Sequence, residues 1–148
     1  MTKFLLSVHV LAAIIAIGPV TVAASMFPAA TRRVLADPGS ARDRAVLRTL
    51  HRICQVYAAV GIAVPVFGLA TASSLGVLGD TWLIVSMALT AAAAAVLVLV
   101  ILPRQREVLA EPRSTAPARL AMYTGIFNLL WAVVTVLMIV RPGSTTGA

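Results

Sequence analysis

The chain has 148 residues, 60% of them hydrophobic and 11% charged, with 12 Lys+Arg against 5 Asp+Glu, a net charge of +7 and a mean hydropathy of +0.98. Soluble domains run at about 45–50% apolar and about 25% charged, and a chain this short has too much surface for its volume to bury the excess. A water-soluble enzyme and a disordered chain are excluded, as is a disulfide-rich secreted module, because Cys54 is the only cysteine.

Four stretches carry no Asp, Glu, Lys or Arg: Phe4 to Thr31, Ile53 to Gly79, Thr81 to Pro103 and Leu120 to Val140. The shortest has 21 residues, enough for a helix to cross a hydrocarbon core of about 30 Å. A membrane barrel would need at least about eight strands of alternating polarity, and these runs are apolar on all sides. The expected fold class is all-α: a polytopic, four-transmembrane-helix up-down bundle forming one membrane domain over 1–148, with spans near 4–30, 53–76, 81–103 and 120–140.

The first span carries His9 about 7 Å in from Phe4 at 1.5 Å per residue, small residues Ala12 and Ala16 that favour close helix approach, and a kinking Pro19. Lys3, the apolar run and Val22-Ala23-Ala24 imitate a signal peptide. Cleavage there would leave the next six arginines outside, and the apolar run continues through Met26 and Phe27. Between spans one and two, Asp37-Pro38-Gly39 reads as a turn, and Ser40 with Asp43 as a cap for a helix starting near Ala41. On that helix Arg44, Arg48 and Arg52 form one stripe and Val46, Leu50 and Ile53 another, which predicts an amphipathic segment on the anionic lipid surface.

His51 and Cys54 stand three residues apart where the second span begins, sharing a helix face, with Met26, Met122 and Tyr123 expected at that depth. His51, between Arg48 and Arg52, is expected to contact lipid phosphate or a loop carbonyl; a weak soft-metal pair with Cys54 is the sharper reading. Further along, Gln55 and Tyr57 are candidates for bonds across helices, Pro65 for a kink, and Gly68 with Ala72 for a packing face. Trp82 reads as an interfacial anchor. The third span offers the small run Ala91 to Ala95, with Ser86 and Met87 at the depth of His9. Pro112 and Pro117 bound the second basic loop. In the fourth span Asn128 is expected to bond across helices near the midplane, and Met138 to return to the His9 level. The tail 142–148 is expected to be disordered.

Ten of the twelve basic residues fall in 32–52 and 104–119, leaving only Lys3 and Arg141 on the other side. By the positive-inside rule both basic loops face the cytoplasm and both termini, with the Leu75 to Asp80 turn, face outward. No aromatic residues interleave the arginines, so no single-strand nucleic-acid platform is formed. The spans hold no ionisable group of the kind that proton relays and coupled transporters use, including the first-helix carboxylate of small multidrug exporters, and no HExxH, GxSxG, Walker loop or CxxC is present. His9 could reach Met87 and Met138 as a His/Met haem or copper site, with a bond to a backbone carbonyl or Ser as the plainer reading.

The opening Lys3-Phe4-Leu5-Leu6-Ser7-Val8-His9-Val10-Leu11 through Gly18-Pro19, with four spans and basic inner loops, resembles an uncharacterised domain-of-unknown-function family of small bacterial integral membrane proteins. The pattern of a His with a Gly nine residues later also resembles the first helix of HemJ-type protoporphyrinogen oxidases and of copper-resistance-D-type membrane proteins. That second resemblance implies haem b as cofactor and His9 as its ligand, while the third-helix lysine of the oxidases has no counterpart, since no Lys follows Lys3. The arginine-over-lysine, alanine-rich composition fits a bacterial cytoplasmic (inner) membrane protein. The leading expectation is a non-catalytic structural or accessory bundle with the bilayer, a second copy or a larger membrane complex as partner, and no nucleic acid. A haem- or copper-binding redox protein using His9 is the alternative, and a small transporter lined by Thr21, Asn128 and Tyr57 a third reading.

Overall fold

Helices in this chain stop at turn residues rather than where the charges begin. The computed structural model describes residues 1–144 and contains helices α1 (Thr2–Ala36), α2 (Ala41–Val60), α3 (Ala63–Leu75), α4 (Thr81–Ala95), α5 (Leu102–Ala110) and α6 (Ala116–Val140), with a π-helical segment, Val96–Ile101, joining α4 to α5. Grouped by continuity these make four rods, Thr2–Ala36, Ala41–Leu75, Thr81–Ala110 and Ala116–Val140, each long and apolar enough to cross a membrane. The protein is an all-α four-helix bundle of the multi-pass membrane type.

The rods outrun the charge-free stretches. At 1.5 Å per residue α1 is about 52 Å long, well beyond a hydrocarbon core of about 30 Å, so the expected basic loop 32–52 shrinks to a tight turn at 37–40. Arginine is a good helix former, and nothing before Asp37-Pro38-Gly39 stops the helix. In that turn the Gly39 amide donates to Asp37 Oδ1 (3.2 Å), and the Asp43 amide donates to the Ser40 hydroxyl (3.2 Å), giving the cap expected at Ala41. The second basic loop contracts likewise to 111–115.

Because α1 overshoots, the first turns of α2 pack on protein. Leu47, Leu50, His51 and Cys54 are buried while Val46 is exposed, so the buried stripe is turned from the one the sequence predicts. These residues join Phe27, Val34, Ile101, Val108, Leu120 and others in the main apolar core, which sits in the arginine-rich half. The other half is thinner, with a small cluster of Ala72, Val77, Trp82 and Leu83 against which Met138 packs. Rod one packs against rods two and four, and rod three against rod four. Rod two meets rod three chiefly where α2 touches α5, and α3 and α4 scarcely touch between there and the Ala72 cluster.

Two prolines shape the rods where they part. Pro65 has no N–H to give the Gly61 carbonyl and its ring crowds that carbonyl. The chain leaves the α-helix there: Ile62 N–H reaches Ala59 O (3.2 Å) and Val64 N–H reaches Gly61 O (3.1 Å), each three residues back. Pro103 poses the same problem for Leu99, and the helix answers by widening, with Leu102 N–H donating to Leu97 O, five residues back. Pro19 and Pro28 lie within α1, which continues through both.

At the far end Gly76 (φ +70°) terminates α3, and Asp80 accepts from Trp82 Nε1 (3.0 Å). Arg141 ends α6 in the left-handed region (φ 45°), donates through Nε to Met138 O (3.2 Å) and lies 5.5 Å over the Trp82 ring. Trp82 is thus buried as part of the Ala72 cluster. Of the expected disordered tail, Pro142 and Gly143 form a turn, and 145–148 lie outside the described residues.

Candidate functional site

The parting of rods two and three leaves a lateral cavity of about 310 Å³ near the middle of the bundle. One wall is the helix break, with Tyr57, Ala58, Ala59, Gly61, Ile62 and Pro65. The opposite wall is Thr90, Ala94, Leu97 and Val98, where the π segment begins. Ala16, Ile17 and Val20 of α1 and Phe127 and Trp131 of α6 close the back. Broken helices and π-bulges concentrate at functional positions, and both irregularities of this chain face the same space. The cavity is nearly all hydrocarbon: the Thr90 hydroxyl is spent on Ser86 O (2.7 Å) and Ser86 on Trp82 O (2.7 Å). At helical spacing Met87 and Ala91 continue the Ala94–Val98 face of α4 toward Asp80, and all four are exposed.

Behind the cavity, one face of α6 carries Thr124, Asn128 and Trp131 at i, i+4 and i+7. Thr124 Oγ1, Asn128 Oδ1 and Trp131 Nε1 are buried without a partner. Asn128 Nδ2 reaches Ser25 Oγ at 3.4 Å, a long bond between helices, and Trp131 stacks edge-on against Phe127 at 6.3 Å.

His9 belongs to a different contact, between α1 and α3. Its Nδ1 lies 3.0 Å from Val64 O. A carbonyl only accepts, so Nδ1 is the donor. The ring lies so close over Gly68 that a Cβ there would stand 2.9 Å from His9 Cε1. Gly68 is therefore the seat of the His9 ring, and the bond to a backbone carbonyl is the plainer of the two sequence readings of this histidine. Met87 faces outward and Met138 packs with the Trp82 cluster. Among the described residues no three His, Cys, Asp or Glu side chains are grouped to hold a metal ion.

His51 and Cys54 are tied together through a residue that sequence reading missed. His51 Nδ1 donates to Gln105 Oε1 (2.9 Å) and Gln105 Nε2 donates to Cys54 Sγ (3.7 Å), all three buried. His51 therefore faces α5, not lipid phosphate. Arg104, beside Gln105, lies 4.6 Å over the Tyr123 ring. Met26 and Met122 are exposed, and Gln55 is half-buried. Gln105 was invisible because 104–119 reads as a loop; the helix-forming run between Pro103 and Pro112 is the signal that could have revealed it.

The small residues named as packing faces are used within the chain. Ala16 and Ala72 are buried, Ala12 is half-buried on α1, Gly68 holds His9, and only Ala93 of the run Ala91 to Ala95 is buried. Ala59 on the break and Ala94 opposite it line the cavity and are exposed, and Ala91 one turn from Ala94 is exposed as well. No protein-family model, curated protein or solved structure matches this chain.

Proposed function

We propose that this protein is a non-catalytic accessory protein of a bacterial inner membrane, which receives a transmembrane helix of a partner protein in the cleft between rods two and three. The observation that carries the reading is the cleft itself: an apolar recess of about 310 Å³ between a broken helix and a π segment, edged by the outward-facing small residues Ala59 and Ala94. Lipid tails are as apolar as the protein surface, so helices associate in a bilayer where small residues let backbones approach and dispersion contacts accumulate. A helix laid along this seam would replace the contacts that α3 and α4 do not make with each other.

The placement of charge supports an orientation. The ends that carry 32–52 and 104–119 hold ten of the twelve basic residues, which favours that end in the cytoplasm and both termini outside.

Ala59→Leu and Ala94→Leu fill the edges of the cleft without touching the buried core. The expected result is loss of co-purifying protein from native lipid discs, with the melting temperature unchanged. Undiminished co-purification in the double variant would overturn the reading.

A further inference from the structure

A second recess, of about 470 Å³, lies at the arginine-rich end between α5 and the start of α6. Arg104, Arg113 and Arg119 line it, together with Glu107 and Glu111, over an apolar floor that includes Leu120. We propose that this recess binds the phosphodiester headgroup of an anionic phospholipid. The site is separate from the midplane cleft and does not depend on what occupies it.

Three observations lead there. First, the cations are unequally engaged. Arg113 is neutralised by Glu111 at 3.1 Å, and that is the only ion pair among the described residues. Arg104 and Arg119 therefore keep their charge unpaired, leaving two free cations against the single carboxylate of Glu107. Second, Arg104 is held in place without using its donors. Its guanidinium rests 4.6 Å over Tyr123, and stacking on a ring leaves all five N–H groups in the plane free for phosphate oxygens. Third, the recess sits where the helices leave the charge-free stretches that end at Pro103 and resume at Leu120. A polar mouth above an apolar floor at that level matches a headgroup with the first carbons of its chains, and basic pockets between helices on this side of a membrane recognise such headgroups.

The test uses the full chain in detergent, titrated with short-chain dioctanoyl phosphatidylglycerol and followed by native mass spectrometry. Saturable binding of one lipid is expected. Arg104→Gln with Arg119→Gln should weaken it by on the order of 30-fold, which is about 1 kcal/mol per arginine for two arginines. Arg48→Gln with Arg52→Gln, at the same depth on α2 but outside the recess, should change it less than about threefold. Glu107→Gln removes the opposing carboxylate and should tighten binding, an outcome that a misfolded variant would not give. Equal losses from the two arginine pairs would show only a diffuse basic surface and overturn the proposal. So would binding of dioctanoyl phosphatidylcholine as tight as that of phosphatidylglycerol, or displacement of the lipid by equimolar inorganic phosphate, which would mark a free-phosphate site.

Discussion

Replacing Gly68 by alanine adds one methyl group, and the geometry says what it meets. The new Cβ would lie 2.9 Å from His9 Cε1 and 3.3 Å from His9 Nδ1. The ring cannot stay, and when it moves it gives up the 3.0 Å bond to Val64 O. Overpacking costs about 1–3 kcal/mol, and a hydrogen bond between membrane helices is worth about 0.6 kcal/mol on average and about 1.7 at most. Against this, alanine is favoured over glycine inside a helix by about 1 kcal/mol. The net expected effect is a loss of about 1–3 kcal/mol. The decisive version is a double-mutant cycle with His9→Ala, read as reversible unfolding in mixed micelles containing SDS and followed by tryptophan fluorescence. With the imidazole gone, only the propensity gain remains, so Gly68→Ala should then stabilise by up to about 1 kcal/mol. An equal loss in both backgrounds would refute the claim that Gly68 is the seat of His9.

Three further outcomes follow from the described contacts. Gln105→Leu leaves His51 and Cys54 buried without their link, at a cost of about 1–3 kcal/mol. Cys54, wholly buried in the native chain, should become reactive toward a maleimide, whereas continued protection would mean that Gln105 does not hold α2 against α5. Pro103→Ala removes the crowding that widens the helix, so Val96–Ile101 should return to i→i+4 bonding, visible as a changed pattern of sequential NMR contacts; persistence of the π form would show another cause. The third concerns haem: the protein purified from cells supplied with haem precursor is expected to show no stoichiometric Soret band, because Met87 faces outward, Met138 packs on the Trp82 cluster and the His9 ring is clasped over Gly68. A stoichiometric band lost in His9→Ala would replace the accessory reading with the redox one.

The four rods were legible in the sequence because a run of 21 or more residues without a charge admits few structures in a bilayer. Local chemistry was legible too: Ser40 caps α2, and the position of Pro65 foretold a distortion that appears four residues earlier, at Gly61. Where the helices stop was misjudged, since arginine-rich segments continue a helix readily in water once another helix is there to pack against, as α1 is for Leu47 and Leu50. The Gln105 link and the Gly68 seat rest on pairings across 54 and 59 positions of sequence, respectively. No periodicity encodes them. The cleft was hidden for a related reason: it is a place where two rods fail to meet, and that depends on the order of rods around the bundle. Ala16 and Ala72, read as residues of close helix approach, are buried within the chain, but composition alone does not separate internal from external seams, because both use the same chemistry.

The most direct test of the cleft as a helix-receiving seam is site-specific photo-crosslinking in native membranes, with a benzophenone amino acid placed in turn at positions 59, 94 and 139. Ala59 and Ala94 edge the cleft, whereas Ile139 is exposed on α6 away from it. The expected result is one discrete protein adduct of the same mass from 59 and 94 and none from 139. Lipid adducts alone at all three positions, or protein adducts of equal yield at all three, would contradict it.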